Sequence, residues 1–292
     1  MTERGPLIDS QGRILRDLRV SITDRCDFRC LYCLPESEAA QNFYRGYWAH
    51  LPDPAPLTPR WLPRSEILAF EEIERVVRLL VSLGIQKVRL TGGEPLVRRG
   101  ITDLVRMLAG IPGVTDLSMT TNGILLGKYA AELKEAGLQR VNISLDTLDP
   151  EKFRTITRGG NINDVLEGIE KAMAAGLTPI KLNCVVGGFN DESDATAVKK
   201  FGEERGLQVR FIREMDLANG EFYTVEGGDG GNCSICNRLR LTSNGLVKPC
   251  LFNAQGFNVR EMGAEQAILS ALDHKPRCGT FNVKEQFYNI GG

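Results

Sequence analysis

The sequence predicts an α/β fold, a partial six-stranded (β/α)6 barrel followed by a small C-terminal extension. Three observations predict it: six short segments with strand-like alternation, helical apolar spacing in most stretches between them, and the loss of that rhythm after Met215. Repeated β-α units imply parallel strands joined by right-handed crossovers. A closed eight-stranded barrel needs two further units that the chain does not offer, and a doubly wound sheet is the structural rival.

The first strand is LRVSITD (18–24), where Leu18, Val20 and Ile22 alternate with Arg19, Ser21 and Thr23. Its crossover is interrupted at 36–64 by an aromatic cluster, NFYRGYW, and by Pro52, Pro54, Pro56, Pro59 and Pro63, which regular helix does not tolerate. Helical spacing resumes in EILAFEEIERVVRLLVSLG (66–84), which ends on glycine ahead of the second strand, KVRLT (87–91). A helix after Gly100 leads to DLSMTT (116–121), and YAAELKEAG (129–137) leads to RVNISLD (140–146). A helix from Asn163 to Gly176 then precedes IKLNCVV (180–186), and DATAVKKFGEERG (194–206) precedes QVRFIRE (208–214). From about 217 onward come turn-forming glycines and short strands, so the chain divides into 1–216 and 217–292.

Strand parity predicts what lies inside. Successive side chains of a parallel strand alternate between its two faces, and the apolar set packs on the helices. Opposite Leu18, Val88, Leu90, Val141, Leu182 and Val209 stand Arg19, Lys87, Arg89, Lys181 and Arg210, five cations converging on one lumen. Like charges in a low-dielectric cavity need water, acidic partners or a multiply charged anion. The chain has no phosphate-loop motif, and TGGEP (91–95) is not a dinucleotide fingerprint, so discrete Lys and Arg side chains would hold such an anion.

The 292 residues have a net charge of -1 and a pI near 6.2, which supply no global field toward nucleic acid or an anionic membrane. No stretch approaches the roughly 20 apolar residues that span a bilayer, and the cytoplasm is the expected location. Eight cysteines in a chain of this size then suggest metal ligation or catalysis above disulfides. Cys26, Cys30 and Cys33 form C-x3-C-x2-C, and Cys233, Cys236 and Cys250 form C-x2-C-x13-C. Three thiolates on a four-iron cluster leave one iron open to a non-protein ligand. Ligand type alone leaves zinc open at the second set, with Cys278 or His274 as a fourth ligand. Cys184, on the apolar parity of its strand, reads as a core thiol, while His50 and His274 read as surface residues.

CDFRCLYC after the first strand and LTGGEPL after the second resemble the radical S-adenosylmethionine superfamily, whose three-cysteine cluster binds S-adenosylmethionine through its open iron. LRVSITDRCDFRCLYCLPE, VRLTGGEPLVRR, TTNG, VNISLDTLD, VRFIREMD, CSICNRLRLTSNG with CLF, and the terminal IGG are further similar to the MoaA-type GTP 3',8-cyclases of molybdenum cofactor biosynthesis. The resemblance implies two [4Fe-4S] clusters, on Cys26, Cys30 and Cys33 and on Cys233, Cys236 and Cys250. It sets Tyr32, Gly93, Glu94, Ser144 and Met215 against S-adenosylmethionine. It sets Arg19, Lys87, Arg89, Thr120, Lys181, Arg210, Arg238 and Arg240 against GTP, with the two last named and the first cysteine set as the reacting centre. The implied reaction is reductive cleavage of S-adenosylmethionine, hydrogen abstraction from C3' of GTP and ring closure onto C8. The implied partners are a low-potential flavodoxin or ferredoxin, a second copy of the chain, and cyclic pyranopterin monophosphate synthase downstream. In the same family Gly291 and Gly292 reach into the active site.

Two segments depart from the family pattern. Only 16 residues separate Asp216 from Cys233, fewer than is usual, and the 36–64 segment is longer than usual. Both flank the expected cavity, and the alternative they raise is a related radical enzyme acting on another nucleotide or on a peptide.

Overall fold

The computed structural model describes residues 5–33, 61–188, 190–282, 290 and 291, so most of the 36–64 segment, His50 and Gly292 lie outside the described residues. One sheet of nine strands runs in the order β6-β5-β4-β3-β2-β1-β7-β8-β9. β1 (Asp17–Ser21), β2 (Lys87–Thr91), β3 (Asp116–Thr121), β4 (Arg140–Ser144), β5 (Lys181–Val186) and β6 (Gln208–Arg213) are the six expected strands. Each pairs in parallel with the next. When every right-handed crossover advances one strand in the same direction, all helices fall on one face and the sheet curls around the other. This is the partial barrel that the sequence predicts.

The connecting helices are α1 (Phe70–Ser82), α2 (Ile101–Ala109), α3 (Leu126–Glu135), α4 (Pro150–Thr157), α5 (Ile162–Ala174) and α6 (Glu192–Glu204). α1 begins at Phe70, four residues into the predicted segment, because the Glu72 carboxylate accepts the Ala69 N–H at 2.7 Å and caps the helix there. α4 adds a second helix to the β4–β5 crossover, too short at eight residues to show a clear apolar period. Its signal is local: the Asp149 carboxylate accepts the Glu151 and Lys152 N–H groups, and Pro150 occupies the first turn.

Parity sorts the side chains as expected. Leu18, Val20, Val88, Leu90, Met119, Val141, Ile143 and Leu182 are fully buried in one core with helix residues such as Ile73, Val77, Leu80, Leu104 and Ile169. Each such side chain stabilises the fold by roughly 1.5–3 kcal/mol relative to exposure. Cys184 is fully buried in the same core, a structural thiol.

Beyond β6 the chain returns to the far edge of the sheet. β7 (Arg238–Leu241) pairs in parallel with β1, and β8 (Leu246–Lys248) and β9 (Phe257–Asn258) continue antiparallel. Two helices close this region, α7 (Val259–Met262) and α8 (Ala264–Asp273), the latter burying Ala267, Ile268 and Ala271. No helix among the described residues is long and apolar enough to cross a membrane.

Candidate functional site

The lumen is layered by charge. At the N-terminal ends of the strands, β-pairing sets Arg238 beside Asp17, Asp17 beside Lys87 and Lys87 beside Asp116, so the signs alternate. Arg238 Nε donates to Asp17 at 3.4 Å, and Arg140 grips Asp116 with two bonds of 2.8 and 2.7 Å. Two residues further along each strand, Arg240, Arg19 and Arg89 stand side by side, with Ser118 next to Arg89. This second layer is cationic and has no carboxylate within it. One step higher the register sets Thr120 and Asn142 beside Lys181, and the next sets Ser144 and Asn183 beside Arg210, so hydroxyls and amides mix with the two remaining cations before the first cysteine set is reached.

The charged layers line a cavity of about 330 Å3. Residues from β6 (Arg210) round to β7 (Arg238 and Arg240) face it, as do Lys87, Lys181 and Thr120. Asp17, Asp116 and Asp229 offset only part of the positive charge that lines it. Burial, then the charges of Arg89 and Arg238, push the Arg19 guanidinium down to about 9, and burial with Arg19 nearby pushes Arg240 down to about 9. Burial, with Arg210, Arg140 and Arg89 around it, lowers Lys181 to about 8. Arg19 Nε is buried with no hydrogen-bond partner among the described residues. A buried donor left unpaired costs on the order of 1–3 kcal/mol, a cost that an anion's oxygens would remove.

Cys26, Cys30 and Cys33 line a second cavity of about 220 Å3, whose wall shares Thr120, Asn183, Ile212 and Met215 with the first. The glycine loop after β2 holds the cysteine loop in place. Gly93 N donates to Thr23 O at 2.8 Å and Glu94 N to Arg25 O at 2.7 Å. A Cβ on Gly93 would lie 2.2 Å from Arg25 O, so this approach requires glycine. The Glu94 carboxylate accepts from Asn122 N, Leu96 N and Thr121 Oγ1, yet burial pushes it up to about 8. Tyr32 donates its hydroxyl to Asp146 at 2.8 Å, and burial raises Asp146 to about 6. Ser144 and Met215 complete this wall. Burial raises Cys26 and Cys30 and pushes Cys33 up to about 12, so these thiols need a cation to become thiolates. Three half-buried thiols facing one cavity fit a cluster with three protein ligands.

The second set is electropositive. Cys233, Cys236 and Cys250 face the charged cavity opposite the first set. Burial would raise Cys236, but Lys275, a backbone hydrogen bond and Arg238 outweigh it and hold the thiol low. The buried Lys275 donates to Arg238 O at 2.8 Å and Pro249 O at 2.9 Å, with Cys236 Sγ 3.7 Å away. Cys236 is thus favoured as a thiolate, whereas burial raises Cys250, and three cysteines facing one cavity fit a metal centre. Gly291 lies beside Thr91, its carbonyl accepting from Arg240 Nη1.

Every lumenal cation named from parity faces the one cavity, and Arg238 and Arg240 join them through β7. Arg140, Asp17 and Asp116, absent from the residues expected there, also line it, and they share the parity of Asn142, Arg19 and Thr120 on their strands. His274 is exposed, with Nδ1 2.8 Å from Ser270 O.

The family model of the radical SAM superfamily matches residues 20–201. The chain is 38% identical to a GTP 3',8-cyclase of Peptoclostridium acidaminophilum, with 100% of both chains covered. It is 39% identical to a GTP 3',8-cyclase of Heliobacterium modesticaldum, over 92% of this chain and 91% of that one. In fold it resembles Streptococcus suis SuiB bound to S-adenosylmethionine, with a TM-score of 0.58 at 16% identity over 92% of this chain and 68% of that one.

Proposed function

Because this chain belongs to the radical S-adenosylmethionine superfamily and, within it, to the GTP 3',8-cyclases of molybdenum cofactor biosynthesis, we propose that its layered lumen holds GTP between two iron-sulfur clusters. The reaction converts GTP to 3',8-cyclo-7,8-dihydro-GTP and uses S-adenosylmethionine and an iron-sulfur cluster. When bound, that cluster and S-adenosylmethionine supply a primary carbon radical that takes the C3' hydrogen. In this reading Cys26, Cys30 and Cys33 hold the first [4Fe-4S] cluster, and Tyr32, Gly93, Glu94, Ser144 and Met215 surround S-adenosylmethionine. Cys233, Cys236 and Cys250, in the segment from 217 onward, hold a second [4Fe-4S] cluster that meets the guanine base.

The observation that carries this reading is the cationic second layer, in which Arg19 Nε has no hydrogen-bond partner among the described residues, lying between the two cysteine sets. Arg19, Lys87, Arg89, Lys181 and Arg210 take the triphosphate oxygens. Arg238 and Arg240, on the strand that follows Cys236, fix the nucleotide toward the second set, and Thr120 stands at the junction of the two cavities. Orientation is the main device, since a fixed C3' turns hydrogen transfer into an intramolecular event. A low-potential flavodoxin or ferredoxin as electron donor, a homodimer, and delivery of product to cyclic pyranopterin monophosphate synthase complete the proposal.

A second reading takes its support from the wall. The short segment before Cys233 lines the cavity through Gly228, Asp229 and Gly231, which leaves room for a different substrate. Anaerobic turnover with GTP deuterated at C3' separates the two. Deuterium in 5'-deoxyadenosine is expected; 5'-deoxyadenosine that stays unlabelled would assign the radical to another substrate.

Lys181 gives the affinity a pH dependence. Its ammonium form binds phosphate, and with the free lysine lowered to about 8 the proton is lost between pH 7 and 9. The dissociation constant of GTP should therefore rise above pH 8, approaching about tenfold per pH unit, and Lys181→Arg should flatten the dependence. Equilibrium dialysis with cluster-loaded protein measures it, and equal affinity at pH 7 and 9 would remove Lys181 from the phosphate site.

A further inference from the structure

One thiol near the site has no part in the reaction just described. Cys278 is solvent-exposed, and its Sγ lies 2.8 Å from Sγ of Cys233, with both cysteines free. We propose that Cys233 and Cys278 form a reversible disulfide that withdraws one ligand from the second cysteine set whenever that set loses its iron. The inference rests on the two-cluster reading for its consequence, but not for its geometry.

A buried clamp sets that geometry. Arg13 Nη1 donates to Cys233 O at 2.7 Å and also to Arg277 O at 3.2 Å, while Nη2 donates to Pro276 O at 2.7 Å. One guanidinium thus grips the backbone that bears Cys233 and the backbone leading into Cys278. Arg13 is itself held by Asp9 at 2.6 Å, with side-chain exposures of 9% and 0%. Lys275 ties the same segment to Arg238 O on β7 and to Pro249 O just after β8. The approach of the two sulfurs therefore follows from a fixed backbone. A disulfide requires the sulfurs to close to about 2.05 Å, less than about 1 Å of travel that side-chain rotation can provide.

The two thiols have different exposures. Cys233 faces the substrate cavity, where iron would hold it as an unreactive thiolate, and Cys278 faces solvent. Once iron leaves, a small-molecule disulfide such as glutathione disulfide can react at Cys278, releasing one glutathione thiol and leaving a mixed disulfide. Cys233 then displaces the second glutathione. The two protein thiols give up two electrons and two protons in all, and the reagent becomes two thiols. The second set is left with two ligands, while Cys26, Cys30 and Cys33 keep all three.

The test uses the full chain, stripped of iron by a chelator under anaerobic conditions, exposed to glutathione disulfide, alkylated and digested for mass spectrometry. The expected result is a peptide pair joined through Cys233 and Cys278. Reconstitution with iron and sulfide should then recover about half the iron of untreated protein, and dithiothreitol should restore the rest. Cys278→Ser should recover its full iron after the same treatment. Pairing of Cys233 with Cys236 or Cys250, or separate labelling of Cys233 and Cys278, overturns the proposal. Cys233→Ser, reconstituted with no oxidant, tests the two-cluster reading by itself: undiminished iron there would overturn that reading and leave the mapped linkage standing.

Discussion

Replacing Cys26 with alanine should lower S-adenosylmethionine cleavage to below about one-thousandth of the parent rate, a loss of about 4 kcal/mol in barrier terms. Cys26 faces the cavity it shares with Cys30 and Cys33, and two thiolates do not hold a cluster whose fourth iron must stay open. The fold should survive. Cys26 is half-buried at the rim, and the surrounding loops are fixed by backbone bonds from Gly93 and Glu94 that do not involve the sulfur. The measurement is 5'-deoxyadenosine by mass spectrometry, beside a thermal melt. A variant that folds normally and cleaves within tenfold of the parent would show that the first cysteine set is not the reducing centre.

Arg240→Ala should separate cleavage from cyclisation. Arg240 is 7% exposed, stands between the second cysteine set and Arg19, and has no carboxylate beside it in its layer. Cleavage without GTP depends on the other cavity and should stay near the parent rate. Cyclised product should fall by roughly a hundredfold or more, as expected for loss of a charge-assisted contact worth about 3 kcal/mol. Arg240 also donates to Gly291 O, so part of the loss passes through the docking of that residue. A Gly291→Ala variant measures this second contribution, because an added Cβ would lie 2.4 Å from Thr91 Cγ2 and unseat the residue without touching the guanidinium. Parental product yield from Arg240→Ala would remove the residue from the substrate site.

What could be read from the sequence divides by distance along the chain. The alternation that opposes Arg19 to Leu18 and Arg89 to Val88 has a period of two residues and is complete within each strand, so five lumenal cations were legible without a structure. The same rule applied fully would have added Arg140 and Asp116. α4 was also within reach, through Asp149 and Pro150 at its start. The grip of Arg13 on Cys233 and Arg277, by contrast, joins positions 220 and 264 residues apart and leaves no local period. The same holds for β7, whose four residues become the parallel neighbour of β1 only through tertiary pairing. The second cysteine set and Cys278 were therefore legible in the sequence, but the Arg13 clamp that brings Cys233 and Cys278 together was not.

The pairing of β1 with β7 has a consequence for how the protein is made. Asp17 and Arg238 are 221 positions apart, and at synthesis rates of about 5–20 residues per second β1 emerges on the order of 10–40 s before its neighbour. During that interval one edge of the growing sheet keeps its N–H and C=O groups unpaired, a template for strands of other chains. Slow translation or high expression would lengthen or crowd that interval. Yield in a foreign host should then depend on chaperone supply before it depends on iron.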